Sequence, residues 1–109
     1  MEKPIQIVLA SSSKLFLEGI QKILEDEGSI KIVAKISNPE EVEKCLCEIK
    51  PKFLFLDNRT LNLDIHKLSN LITKKSPDTK VILFSDYIKN GFTFPNAIYV
   101  TKEVSSLEL

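Results

Sequence analysis

The sequence predicts an α/β protein built on one doubly wound, five-stranded parallel sheet of order 2-1-3-4-5. Three observations point to it. Phe53-Leu-Phe-Leu-Asp57 and the run Val81 to Phe84 (VILF) are apolar at every position rather than at alternate ones, the pattern of strands covered on both faces. Strand-like runs alternate with stretches of helical periodicity, as right-handed crossovers between parallel strands require. The 109 residues, 43% of them apolar, suit one compact domain with a real core and are too few for two.

Ile5 to Ala10 (IQIVLA) is apolar and β-prone and feeds Ser11-Ser12-Ser13, which can turn the chain and cap a helix. Phe16, Ile20, Ile23 and Leu24 then make a helical stripe that stops at Gly28, a natural C′ residue. Gly19 lies inside it at a cost of about 1 kcal/mol, for which close packing against a strand is the plain explanation. Ile30 to Ile36 (IKIVAKI) alternates, with Lys31 and Lys35 on one face and Ile30, Ile32, Ala34 and Ile36 on the other, as expected of an edge strand. Asn38-Pro39-Glu40-Glu41 supplies an N-cap, a proline at N1 and a glutamate at N3. The helix it opens buries Val42, Cys45, Leu46 and Ile49 and stops before Pro51.

After the Phe53 to Asp57 strand comes Asn58 to Leu63, a mixed stretch without glycine, then Asp64 as the cap of a helix with Leu68, Leu71 and Ile72 inward. Ser76-Pro77-Asp78 ends it, and VILF and Ala97 to Val100 (AIYV) follow as strands. The connection from Asp86 to Asn96 is 11 residues long, against the roughly 10 to 12 that a whole crossover needs, so the fourth helix is expected to be stunted or missing. Phe92 and Phe94 within it would fold back to fill that gap or form a contact surface. Ser105-Ser-Leu-Glu108 is a capping box at the very end, so the last helix is expected to be cut short.

Composition narrows the functions. Fifteen basic and fifteen acidic residues give a formal net charge of zero, with no electrostatic footprint of a nucleic-acid binder. No apolar run approaches the roughly 18 to 20 residues of a membrane span and the N-terminus has no signal-peptide pattern, so a cytoplasmic location is expected. Cys45 and Cys47 point to different faces of a helix, one to the core and one to the surface, and no other histidine or cysteine stands at a metal-ligand spacing from His66. Neither a disulfide nor a metal pair is expected. Lys74, Lys75 and Lys80 read as a solvated helix end.

The chemistry-bearing residues converge at the carboxyl edge of the sheet, where open α/β sheets bind ligands. They are the Ser11 to Ser13 loop, Asp57, Ser85 and Lys102: hydroxyls, a carboxylate and a cation around one spot. Asp57 could equally be the cap of the following turn. Three serines ahead of a helix could also cradle an anion.

With Leu15-Phe16, Glu18-Gly19, Ser37-Asn38, Glu40-Glu41, Lys50-Pro51, Leu56-Asp57 and Pro77 to Ile82 (PDTKVI) in place, the chain resembles the receiver domain of bacterial response regulators. The resemblance is to the NarL/LuxR-type branch and runs from Ile5 to about Asp86 and again from Ala97 onward. It implies a flavodoxin-like receiver fold over residues 1–109, the N-terminal part of a longer regulator whose DNA-binding output domain lies outside this chain. It also implies that Asp57 occupies the phosphoacceptor position, that Ser85 and Lys102 contact the phosphoryl group, and that Tyr99 is the switch aromatic. The carbonyl of Arg59 would stand at a metal-ligand position.

The departures from that pattern set the functional expectation. Ser11 and Ser12 stand where the family carries the acidic pair that holds Mg²⁺, and neutral hydroxyls are poor replacements for a hard cation. The loop after Asp57 lacks the family's proline and glycine, and Asp86 stands where a small residue is usual. Asp57 is therefore expected to pair directly with Lys102 without a metal. The reading is an atypical receiver and not an enzyme: a phosphorylation-independent interaction module with protein partners, a second copy among them, no required cofactor and at most weak Mg²⁺ binding. DNA is reached only through the output domain. The alternative is a working phosphoacceptor, modified on Asp57 by a histidine kinase of a two-component system.

Overall fold

The computed structural model describes residues 4–85 and 97–101, with the backbone alone for Ser85 and 97–101. Strands β1 (Ile5–Ala10), β2 (Ile30–Ile36), β3 (Phe53–Asp57) and β4 (Lys80–Ser85) form a parallel sheet in the order β2-β1-β3-β4. The backbone of β5 (Ala97–Thr101) runs parallel beside β4. Helix α1 (Lys14–Glu25) lies on one face of the sheet. The other carries α2 (Pro39–Glu48), the four-residue α3 (Asn58–Leu61) and α4 (Ile65–Lys75).

Covering both faces explains the unbroken apolar strands. Alternate residues Ile7 and Leu9 of β1 meet Leu17 of α1, while Val8 and Ala10 join Leu54, Leu56, Val81 and Leu83 against Val42, Leu46, Leu68 and Ile72 of the opposite helices. Leu56 has no exposed surface, so Leu56→Ala would cost about 2–5 kcal/mol. The helix starts follow the sequence closely: Ser13 accepts from Phe16 N at 3.2 Å, Asn38 from Glu41 N at 3.2 Å, and Asp64 from His66 N at 3.0 Å.

The structure departs from the expectation at several points. Ile7 pairs with Ile32 and Val8 with Ala34, so Val33 is an extra residue in β2 that reverses its facing. Ile30 and Ile32 therefore pack with α1, Ala34 and Ile36 join the opposite core, and Lys35 donates to Gln21 of α1 at 2.7 Å. The two strand lysines do not share a face. A Cβ built on Gly19 meets nothing within 4 Å among the described residues, so none of these requires the glycine for close packing. Helix α1 ends with Asp26 as its C-cap, two residues before Gly28. The stretch after Asp57 is a single helical turn with Asp57 as its N-cap and Asn62 in the left-handed conformation at its C-cap. Cys45 is buried as expected, whereas Cys47 is half-buried. The expectations for Asp86, Phe92, Phe94, Lys102, the fourth crossover and the last helix fall outside the described residues, as do those on the side chains of Ser85 and Tyr99.

Candidate functional site

Neighbouring strands bring the site together. Ala10 of β1 lies opposite Leu56 of β3, so the next residues, Ser11 and Asp57, emerge side by side at the carboxyl edge. Ser11 N extends the ladder by one bond, donating to Ile36 O at 2.9 Å. Both side chains are fully buried, at 0% exposure.

A buried carboxylate must be satisfied by donors, and Asp57 is. Ser11 Oγ donates to Asp57 Oδ2 at 2.8 Å, and Thr60 Oγ1 lies 3.3 Å from the same oxygen. On the other side Arg59 Nε donates to Oδ1 at 2.9 Å and Arg59 N at 3.3 Å. The Asp57–Arg59 contact is the one ion pair among the described residues. Asp57 thus caps α3 while its carboxylate gathers Ser11, Arg59 and Thr60 at the carboxyl edge of the sheet.

The serine loop is equally closed on itself. Ser12 N donates to Thr60 Oγ1 at 2.9 Å and Ser13 N to Ser11 Oγ at 3.0 Å. With Ser11 N on β2, every amide of the three serines has a partner within the protein, so the loop does not offer the open amide cradle that an anion needs. Ser12 is exposed, and its hydroxyl reaches Thr60 O at 3.4 Å.

Two residues act here in ways the sequence reading missed. Arg59 enters the site through its side chain and not only as a backbone carbonyl, and Thr60 bridges the serine loop to Asp57. The signal was the spacing: N2 and N3 of a turn capped by Asp57 can both fold back onto the cap. The guanidinium of Arg59, 37% exposed at the side chain, also lies 5.7 Å above the Phe16 ring of α1. Phe16 meets Phe84 of β4 edge-on at 4.9 Å, and Phe84 stacks on Phe55 at 6.4 Å. Helix α1, β3 and β4 are tied to the site by this aromatic row.

The described residues of the site do not by themselves make a set of ligands for a divalent cation. No group of three or more His, Cys, Asp or Glu side chains gathers among the described residues, and both Asp57 oxygens already accept from protein donors. Nor is any helix of the described residues long and apolar enough to cross a membrane.

No family model matches the chain. The transcriptional regulatory protein DegU of Brevibacillus brevis is 24% identical over 110 residues, a match covering 96% of this chain and 47% of DegU. The chain thus spans about half the length of that curated relative. The receiver domain of the response regulator NarL from Mycobacterium tuberculosis superposes with a TM-score of 0.73 at 17% identity, covering 98% of this chain and 96% of that one. A LuxR-family DNA-binding response regulator from Staphylococcus aureus gives 0.71 at 21% identity, covering 91% and 87%. Strands, crossovers and the carboxyl-edge aspartate together give this chain the fold of the response-regulator receiver domains.

Proposed function

We propose that the chain is an atypical receiver that signals through protein contacts without phosphorylation of Asp57 and governs a DNA-binding output domain in transcription. The observation that carries this is the state of Asp57. Phosphoryl transfer needs a bare carboxylate oxygen with cations arranged around the incoming charge. Here both oxygens are held by Ser11, Thr60 and Arg59, and the acids that would hold a metal are serines. A carboxylate whose two oxygens both accept from protein donors is a weakened nucleophile.

In this reading the sheet has five strands, Ser85, Lys102 and Tyr99 keep receiver positions without the receiver chemistry, and no cofactor is required. The domain works in the cytoplasm and selects its output state by association with a partner protein or a second copy. The similarity to a transcriptional regulator and to a DNA-binding regulator supports transcription as the process served.

Incubation with acetyl phosphate and Mg²⁺, followed by intact-mass spectrometry, tests the proposal. The expected result is no phosphoryl adduct on either the parent or Asp57→Ala. An adduct on the parent that Asp57→Ala abolishes would overturn it and return Asp57 to the role of phosphoacceptor for a histidine kinase.

A further inference from the structure

We infer that Arg59 is a built-in counter-ion: its guanidinium takes the cation's place at Asp57 and keeps the site free of metal. The inference rests on the receiver-like reading of the site and concerns what holds that site in its present state.

A fully buried carboxylate without a positive partner is costly, and with serines in place of the acidic pair no ligand set for a metal gathers beside it among the described residues. One positive charge suffices to balance one carboxylate, whereas a divalent ion would leave a surplus. Arg59 supplies that charge from two residues away, with Nε at 2.9 Å from Oδ1. Its own amide, at 3.3 Å from the same oxygen, fixes the chain so that the side chain must return along the carboxylate.

The remaining contacts favour arginine over lysine. A planar, weakly hydrated guanidinium can bond at one edge and lie over a ring, as Arg59 does above Phe16 at 5.7 Å. A compact ammonium would hydrate more strongly and gain less from the ring. An entering cation would have to displace the charged Arg59 to reach Oδ1, or the hydroxyls of Ser11 and Thr60 to reach Oδ2. Metal exclusion therefore has two parts: the missing acids and the resident arginine. Restoring an acid alone should not restore metal binding.

Amide NMR with Mn²⁺ as the probe separates these parts, reading paramagnetic broadening at Ser12, Ser13, Asn58 and position 59. The parent and Ser12→Asp, an exposed position, should show no saturable broadening up to roughly 10 mM. Ser12→Asp combined with Arg59→Met should bind Mn²⁺ at least about tenfold more tightly than Ser12→Asp alone, and its unfolding temperature should rise with Mn²⁺. Should that variant not fold, Ser12→Asp with Arg59→Gln keeps an amide donor near Asp57 and carries the same expectation. Ser12→Asp with Arg59→Lys, which keeps the charge, should behave like Ser12→Asp. Saturable binding by the parent, or no gain on removing Arg59, would overturn the inference; so would binding by the lysine variant equal to that of the methionine one. Neither result produces a phosphoryl adduct on the parent, so failure here stays separate from failure of the proposed function.

Discussion

The hydroxyl of Ser11 and the carboxylate of Asp57, 46 residues apart in the chain, meet at 2.8 Å with neither side chain exposed. Removing the hydroxyl leaves Asp57 Oδ2 with Thr60 alone, and Thr60 must share its one proton with the Asp57 carbonyl at 3.2 Å. Ser11→Ala should therefore lower stability by about 1–3 kcal/mol, the range for a buried charged acceptor losing a donor. Ser12→Ala, on an exposed hydroxyl with a long contact, should change it by less than about 0.5 kcal/mol. Urea denaturation of the two variants checks the contrast; equal losses would mean that the buried bond contributes nothing particular.

Thr79 ties together the two turns at the opposite edge of the sheet. Its hydroxyl donates to Pro51 O at 2.5 Å and accepts from Ser76 Oγ, and Thr79 and Ser76 are both buried. Thr79→Val keeps the volume and strands both partners without a bond. A loss of about 1–3 kcal/mol is expected, and Thr79→Ser should recover most of it apart from one methyl. Urea titrations in which valine proves as stable as threonine would exclude this role.

The pattern of agreement has physical causes. Doubly buried strands were legible because burial on both faces forbids polar residues at any position, and the edge rule placed Ser11 beside Asp57 before any coordinates. The reversal at Val33 was not, since IKIVAKI alternates perfectly well on paper; only the apolar α1 partner on one side and α2 on the other reveal that both phases are used. A four-residue helix is too short to carry a period, so α3 had no signature beyond Asp57 as a cap. The Arg59 side chain was missed because charge balance alone pointed to a lysine at another strand end. Arg59, in the first turn capped by Asp57, is a cation much nearer in sequence, whereas Lys102 lies outside the described residues.

Among the described residues, the buried Cys45 thiol is shifted in its ionisation. Burial, and then the negative charge of Glu48, push its pKa up from 9.0 to about 11. The folded state keeps the proton to higher pH than the unfolded chain. Its contribution is therefore intact below pH 9 and is lost as the pH rises to about 11, up to roughly 2–3 kcal/mol. Comparing urea midpoints of the parent and Cys45→Ala at pH 8 and at about 10.5 isolates this term. The parent should lose more stability over that interval, and parallel losses would remove Cys45 from the account.

Gly19 sits in the interior of a 12-residue helix, with no described residue within 4 Å of where its Cβ would be. Nothing among its described surroundings demands a glycine. Gly19→Ala should stabilise the domain by about 1 kcal/mol through helix propensity. A lower melting temperature for the alanine variant would show that the space beside Gly19 is used by a contact beyond the described residues.

Lys50 offers the reverse case. It follows the C-cap of α2 in the left-handed conformation, with φ of 50°, and its amide reaches Cys45 O at 3.3 Å in the manner of a helix-terminating turn. A side chain there brings Cβ against the following carbonyl at a cost of about 1–2 kcal/mol, and Pro51 next in line narrows the backbone further. Lys50→Gly removes that cost but loosens the unfolded chain, so the net gain should be about 0.5–1 kcal/mol. Lys50→Ala keeps the strain and should gain nothing, while Lys50→Asn should fall between them because asparagine tolerates this region. The ranking glycine above asparagine above alanine in urea midpoint is the measurement; alanine matching glycine would mean that the lysine side chain, and not the backbone, sets the stability at this turn.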